Sequence, residues 1–304
     1  MAVSYIQPKE YVRSVPLGVT GYSATESLDY TRWLATHHYE NFHVVSFLLP
    51  KKLHQDFYNV YSFCRWADDL GDEIGDTKES LRLLAWWRSE LEAMYRGQTG
   101  HPVFVALKGT VERHGIPIGP FDRLIRAFEQ DQTITRYVSF DEMFAYCVNS
   151  ANPVGHLVLY LCGYRDAERQ ALSDFTCTGL QLANFWQDIG VDLEKNRVYL
   201  PLNLLEKHGY TVDELFEGKE DGRFREIMRE AVDVADGLFY KGLPLIKTLD
   251  RRLALDIDLF SRGGMKILEK IRDQKYNVLR RRPHISKAER AVLLIRCLPR
   301  LLQP

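Results

Sequence analysis

The sequence has no Cys-x-x-Cys pair, no proline between residues 51 and 100, and no uninterrupted run of about 18 apolar residues. Each absence excludes something. There are five cysteines, Cys64, Cys147, Cys162, Cys177 and Cys297. An odd count without paired spacing argues against a zinc site or a disulfide framework and predicts free thiols in a reducing compartment, the cytoplasm. The missing proline leaves residues 51–100 open to long helices. The most apolar stretch, 143–164, is interrupted by Asn149, Asn152, Pro153 and His156, so no membrane span is predicted. The N-terminal residues carry no signal-like apolar stretch. Charge of one sign is also missing. The net charge of −1 excludes a general attraction to nucleic acid or to anionic lipid.

What is present is helical periodicity. Leu53, Phe57, Val60, Tyr61, Cys64 and Leu70 recur at spacings of three and four. Further helices read at about 25–39, 79–96, 102–114, 120–131, 139–162, 167–195, 223–249, 250–281 and 286–298. Glycine and proline fall between most of them. No strand-type alternation stands out. The expectation is an all-α protein, with residues 1–304 as one domain because no linker divides them. A chain of 304 residues is long enough to hold a deep core or an enclosed cavity.

Two segments resemble each other. Asp68 and Asp72 follow Arg65-Trp66, and Asp188 and Asp192 follow Phe185-Trp186-Gln187. Each pair sits at i and i+4, on one helix face, where like charges repel. The first segment adds Asp69 and Glu73, beside apolar Phe63, Trp66 and Leu70. Either segment alone reads equally well as a solvated acidic helix end. Two of them beside aromatics favour a cation, and Mg²⁺ suits because it uses one or two carboxylates and completes its shell with water and phosphate. Arg65, three before Asp68, and Lys195 and Arg197, just after Asp192, are placed to grip phosphate, although each taken singly is more commonly a structural ion-pair partner.

At these residues the sequence resembles the squalene and phytoene synthase family. The motifs are Tyr61-Ser-Phe-Cys-Arg65-Trp-Ala-Asp68-Asp69, Tyr146-Cys-Val-Asn-Ser-Ala-Asn-Pro-Val-Gly155, Gln181-Leu-Ala-Asn184-Phe-Trp-Gln-Asp188 through Asn196-Arg197-Val-Tyr-Leu-Pro201, and Tyr276-Asn-Val-Leu-Arg-Arg-Arg-Pro283. Within the family it looks most like hydroxysqualene synthases of hopanoid-type pathways, through Glu40-Asn41-Phe42, Asn152-Pro153-Val154-Gly155 and Asn184-Phe185-Trp186-Gln187-Asp188. The resemblance implies an isoprenoid-synthase-type helical bundle around a central cavity and an isoprenoid diphosphate substrate. It implies Mg²⁺ on Asp68, Asp72, Asn184, Asp188 and Asp192, diphosphate on Arg65 and Arg197 with Lys195 and His38 nearby, and a reaction centre lined by Tyr61, Tyr146 and Gln181. Tyr146 would place or deprotonate a water, or only satisfy a buried hydrogen bond. Many relatives carry arginine where this chain has Gln187, a loss of charge that fits a substrate with a single diphosphate.

Other readings weigh less. Glu40-Asn-Phe-His43 has the spacing of one di-iron half-motif, and a di-iron bundle needs two. A terpene cyclase would carry a different second metal motif. A non-enzymatic scaffold would not need both aspartate pairs. Arg280-Arg281-Arg282 and the apolar residues after 290 read either as a last helix packed on the core or as a peripheral membrane contact. The sequence leaves the oligomeric state open.

Overall fold

A computed structural model describes residues 5–18, 20–37 and 49–297. Among the described residues the secondary structure is helical, apart from one isolated bridge between Arg136 and Val198. The chain forms two compact units, one running through Thr133 together with His156–Arg165, the other comprising Ile134–Gly155 and the chain from Asp166 onward.

The first unit contains α1 (Pro8–Ser14), α2 (Ala24–His37), α3 (His54–Asp72), α4 (Thr77–Tyr95), α5 (Pro102–His114) and α6 (Gly119–Gln130). In α3 the apolar stripe Phe57, Val60, Phe63, Trp66, Ala67 and Leu70 is buried, as the spacing of three and four requires. Trp66 stacks on Trp87 of α4, with ring centroids 5.0 Å apart. Phe63 meets Phe121 of α6 edge-on at 4.8 Å. The indole N–H of Trp66 donates to the Tyr30 hydroxyl at 3.1 Å, so a fully buried polar atom is satisfied. Packing this stripe inward leaves Tyr61, Arg65, Asp68 and Asp72 together on another stripe of the same helix.

The second unit is built on α9 (Ala167–Glu194), a helix of 28 residues whose N-cap Asp166 accepts from the Arg169 backbone N–H. Packed on it are α7 (Phe140–Ser150), α12 (Gly222–Gly242) and α13 (Arg251–Asp273). Trp186 is fully buried and donates to the Ala231 carbonyl of α12 at 3.0 Å. Close approach depends on missing side chains. A Cβ at Gly242 would lie 2.3 Å from the Thr176 hydroxyl, and one at Gly264 the same distance from the Phe239 ring. The short helices α10 (Leu202–Lys207) and α11 (Val212–Phe216) follow the turn after α9, and α14 (Lys287–Cys297) closes the described chain. One further helix, α8 (Asn152–Leu161), runs from the second unit into the first.

The helices expected from sequence are present, with three differences. The stretch 139–162 is two helices, parted at Ala151 just before Asn152-Pro153, where the proline ring cannot continue a preceding turn. The stretch 223–249 ends as a 3₁₀ turn, Leu243–Thr248, started by Pro244. The helix expected over 250–281 stops at Asp273, because Lys275 and Tyr276 take left-handed φ values of 52° and 64°. The chain there reverses, and residues 278–283 run as an irregular segment.

Candidate active site

The α3 stripe is organised by a buried arginine. Arg65 is 5% exposed, and its Nε donates to Asp69 Oδ1 at 2.7 Å while Nη2 pairs with Asp68 Oδ2 at 2.7 Å. Arg65 Nη2 also contacts Asp69 directly. One guanidinium thus carries two carboxylates, and desolvation makes that pairing obligatory. Asp69 is buried, Asp68 is half-buried and Asp72 is exposed. Glu73, next along, pairs with Lys9 at 3.4 Å. Asp68 and Asp72 are therefore the carboxylates of this helix that reach solvent, with Tyr61 half-buried on the same stripe. His38 lies outside the described residues.

The α9 stripe is the counterpart in the second unit. Gln181, Asn184, Asp188 and Asp192 fall at steps of three and four on one side of the helix, while Leu182, Ala183, Trp186 and Ile189 are buried on the other. Burial and the neighbouring Asp188 push the Asp192 carboxyl up to about 7, against the opposing pull of Arg197, Lys195 and Arg282. The positive charge around the pair does not offset the cost of burying two neighbouring carboxylates. Hard oxygen donors from Asp188, Asp192 and Asn184 are able to hold a divalent cation. Among the described residues no three His, Cys, Asp or Glu side chains gather into a ready cluster, so a cation here would draw on water and phosphate oxygens as well.

An aromatic group lies in the same unit as this stripe. Phe185 stacks on Tyr199 with centroids 3.7 Å apart, and Tyr146, 5% exposed, sits 6.2 Å from Phe185 and 5.4 Å from Tyr137. The segment after α9 brings Tyr199 there. Asn196 turns the chain with φ of 56°, and the Val198 N–H donates to the Thr135 carbonyl at 2.9 Å. Arg136 secures the turn through the Asn196 side chain at 2.7 Å. Ring faces of this kind favour a cation and exclude water. Behind them, Asn152 accepts from Thr178 at 3.0 Å, and Gly155 leaves room for Ser173 and Cys177, which a Cβ would meet at 2.3 and 2.6 Å.

Two features were not foreseen. Arg282, read from sequence as part of a basic surface run, places its guanidinium on Asp188, with Nη2 donating to Oδ2 at 3.1 Å and Nε also in contact. Gln187, read only as a missing charge, donates to the Pro283 carbonyl at 2.6 Å. Both ties span more than ninety residues of sequence, so no local pattern announces them. The run of three arginines was the visible sign.

Comparison with known proteins identifies the family. The squalene/phytoene synthase family model matches residues 35–289. A phytoene synthase of Thermus thermophilus is 33% identical over 84% of this chain and 87% of its own. A hydroxysqualene synthase of Rhodopseudomonas palustris is 34% identical over 84% and 86%. The crystal structure of squalene synthase HpnC from Alicyclobacillus acidocaldarius is 41% identical, with a TM-score of 0.80 over 84% of this chain and 96% of that one. The aspartate stripes, the aromatic group and these likenesses together place the chain: it belongs to the squalene/phytoene synthase family.

Proposed function

We propose that this chain is a hydroxysqualene synthase, converting presqualene diphosphate and water to hydroxysqualene and diphosphate. The observation that carries the ionisation chemistry is the α9 stripe, where Asn184, Asp188 and Asp192 share one side of a helix whose Phe185 stacks on Tyr199. The oxygen donors fit Mg²⁺, which Asp68 and Asp72 would hold on α3 and Asp188, Asp192 and Asn184 on α9. The chemistry that Mg²⁺ supplies when bound is electrostatic stabilisation of charge on the departing diphosphate. Arg197 and Lys195, whose charges already bear on Asp192, bind diphosphate oxygens. Arg65, fixed by Asp68 and Asp69, orients the first carboxylate set and presents positive charge behind it. Tyr61 and Gln181 line the reaction centre. Phe185, Tyr199 and Tyr146 face the carbocation, and the Tyr146 hydroxyl positions the water that captures it.

The product reading rests on Gln187, which brings no charge, and is supported by hydroxysqualene synthases at 33 and 34% identity. The equally similar Thermus relative favours a second reading, a synthase that joins two prenyl diphosphates. One assay separates them. Purified protein with presqualene diphosphate and Mg²⁺ is expected to release hydroxysqualene without NADPH, identified by mass spectrometry. Squalene formed only with NADPH, or presqualene diphosphate formed from farnesyl diphosphate alone, overturns the product.

Where the protein works follows from the same reading. Among the described residues no helix is long and apolar enough to cross a membrane. Our reading is a cytoplasmic enzyme with α14 packed on α13, and a peripheral contact of α14 for greasy substrate and product is the second reading. Its Val292 and Ile295 are exposed, while Glu289 is held by Lys270 at 2.6 Å and Cys297 is fully buried.

A further inference from the structure

The segment after α13 is held at four points, three of them on α9. Gln187 donates to the Pro283 carbonyl at 2.6 Å. Gly190 leaves room for the Leu279 carbonyl oxygen, which a Cβ would meet at 2.7 Å. Glu220 accepts from the Leu279 N–H at 3.1 Å, and Asp188 carries the Arg282 guanidinium. The approach is set by Lys275 and Tyr276, both in the left-handed region, a conformation that side chains other than glycine and asparagine rarely adopt. A costly turn, a glycine under a carbonyl and a glutamine spanning 96 residues all serve one placement. They seat Arg282 on a carboxylate of the α9 stripe.

We propose that residues 275–283 are a latch, positioned by Gln187 and Gly190, whose Arg282 pairs with Asp188 and is displaced when a divalent cation binds there. The proposal rests on the reading that Asp188 is a cation ligand. A guanidinium and a divalent cation compete for the same carboxylate oxygens, since neither shares them without electrostatic cost. The Arg282 side chain is 53% exposed against 16% for Asp188, so the pair is half-wet and weak enough to exchange. Gln187 is then a positioning residue that keeps the displaced arginine tethered beside α9.

The test uses Mn²⁺ as the probe on the full chain, with affinity read by calorimetry or by paramagnetic resonance of free Mn²⁺. Arg282→Ala removes the competitor and is expected to tighten Mn²⁺ binding by about two- to fivefold, the range of a half-exposed ion pair. Arg280→Ala removes the same charge from an exposed neighbour without a contact to Asp188 and is expected to leave the affinity unchanged. Gln187→Ala and Gly190→Ala are expected to tighten Mn²⁺ and to raise backbone hydrogen exchange over residues 278–283. In the wild type, adding Mn²⁺ is expected to raise exchange over those same residues. Mn²⁺ affinity that falls or stays constant in Arg282→Ala, or that rises equally in Arg280→Ala, overturns the latch. Binding that is identical in Asp188→Asn and wild type overturns instead the underlying reading of Asp188 as a ligand. Arg282 and Arg280 are exposed, so these variants keep the test informative even if Gly190→Ala does not fold.

Discussion

Single residues show where burial has decided charge. His101 lies within a group of aromatic rings, with Trp66 at 4.3 Å, Tyr11 at 5.0 Å and Trp87 at 5.1 Å between centroids. Its Nδ1 accepts the Val103 N–H at 3.3 Å and caps α5. Burial holds its pKa well below the ordinary histidine value, so the folded protein keeps it neutral. The unfolded chain binds that proton near pH 6.5. Stability from this residue is therefore present above about pH 6.5 and lost as pH falls below it, by up to about 1.4 kcal/mol per pH unit. Asp192, whose carboxyl is raised, works in the opposite sense over part of this range. The measurable quantity is thus a difference. His101→Asn, which retains a capping side chain, is expected to show a flatter decline than wild type in urea-unfolding free energy between pH 6.5 and 5.5. Equal slopes would mean that His101 already titrates in the folded state. Arg65 offers a second case. Arg65→Met leaves Asp69 buried without its cation and is expected to cost about 3–5 kcal/mol, with much of the loss recovered when Asp69→Leu is added. Chemical denaturation of the single and double variants checks this.

Among the elements, α3 and α9 were legible from sequence because their spacing is strict. One stripe of each is apolar and buried, so the polar residues at 61, 65, 68 and 72, and at 181, 184, 188 and 192, had to share another stripe. Short elements were not legible. Helices α1, α10 and α11 span seven, six and five residues, too few for a period to emerge. The end of α13 was hidden for a different reason. Neither Lys275 nor Tyr276 is a residue that ordinarily enters the left-handed region, and the segment that follows them is tied to α9, far away in sequence. The Gln187 and Arg282 ties were illegible on the same ground. A prediction belongs to this scale. Trp186 fixes α9 to α12 through a fully buried ring and a 3.0 Å hydrogen bond. Trp186→Ala is expected to cost about 3–5 kcal/mol. Trp186→Phe, which keeps most of the volume and strands the Ala231 carbonyl, is expected to cost less, about 1–3 kcal/mol. Thermal unfolding of both variants checks the order.

For the whole molecule, the two aspartate stripes belong to separate compact units, so their joint use has to be tested through a ligand. Inorganic diphosphate with Mg²⁺ is the leaving group of the proposed reaction in isolation. If both stripes serve it, binding protects both. Hydrogen exchange is then expected to slow over residues 65–73 and over 184–192 when the two are added together, and to return when Mg²⁺ is chelated. Mass action sets the size of the linked stabilisation, about 2.7 kcal/mol at a hundredfold excess over Kd. Asp68→Asn and Asp188→Asn, each altering one unit, are both expected to reduce this gain and to reduce protection in the other unit as well. That last readout is decisive, because a stripe that binds alone would lose protection alone. Protection confined to 184–192, with Asp68→Asn without effect on it, would assign the diphosphate to α9 and leave α3 with a structural role.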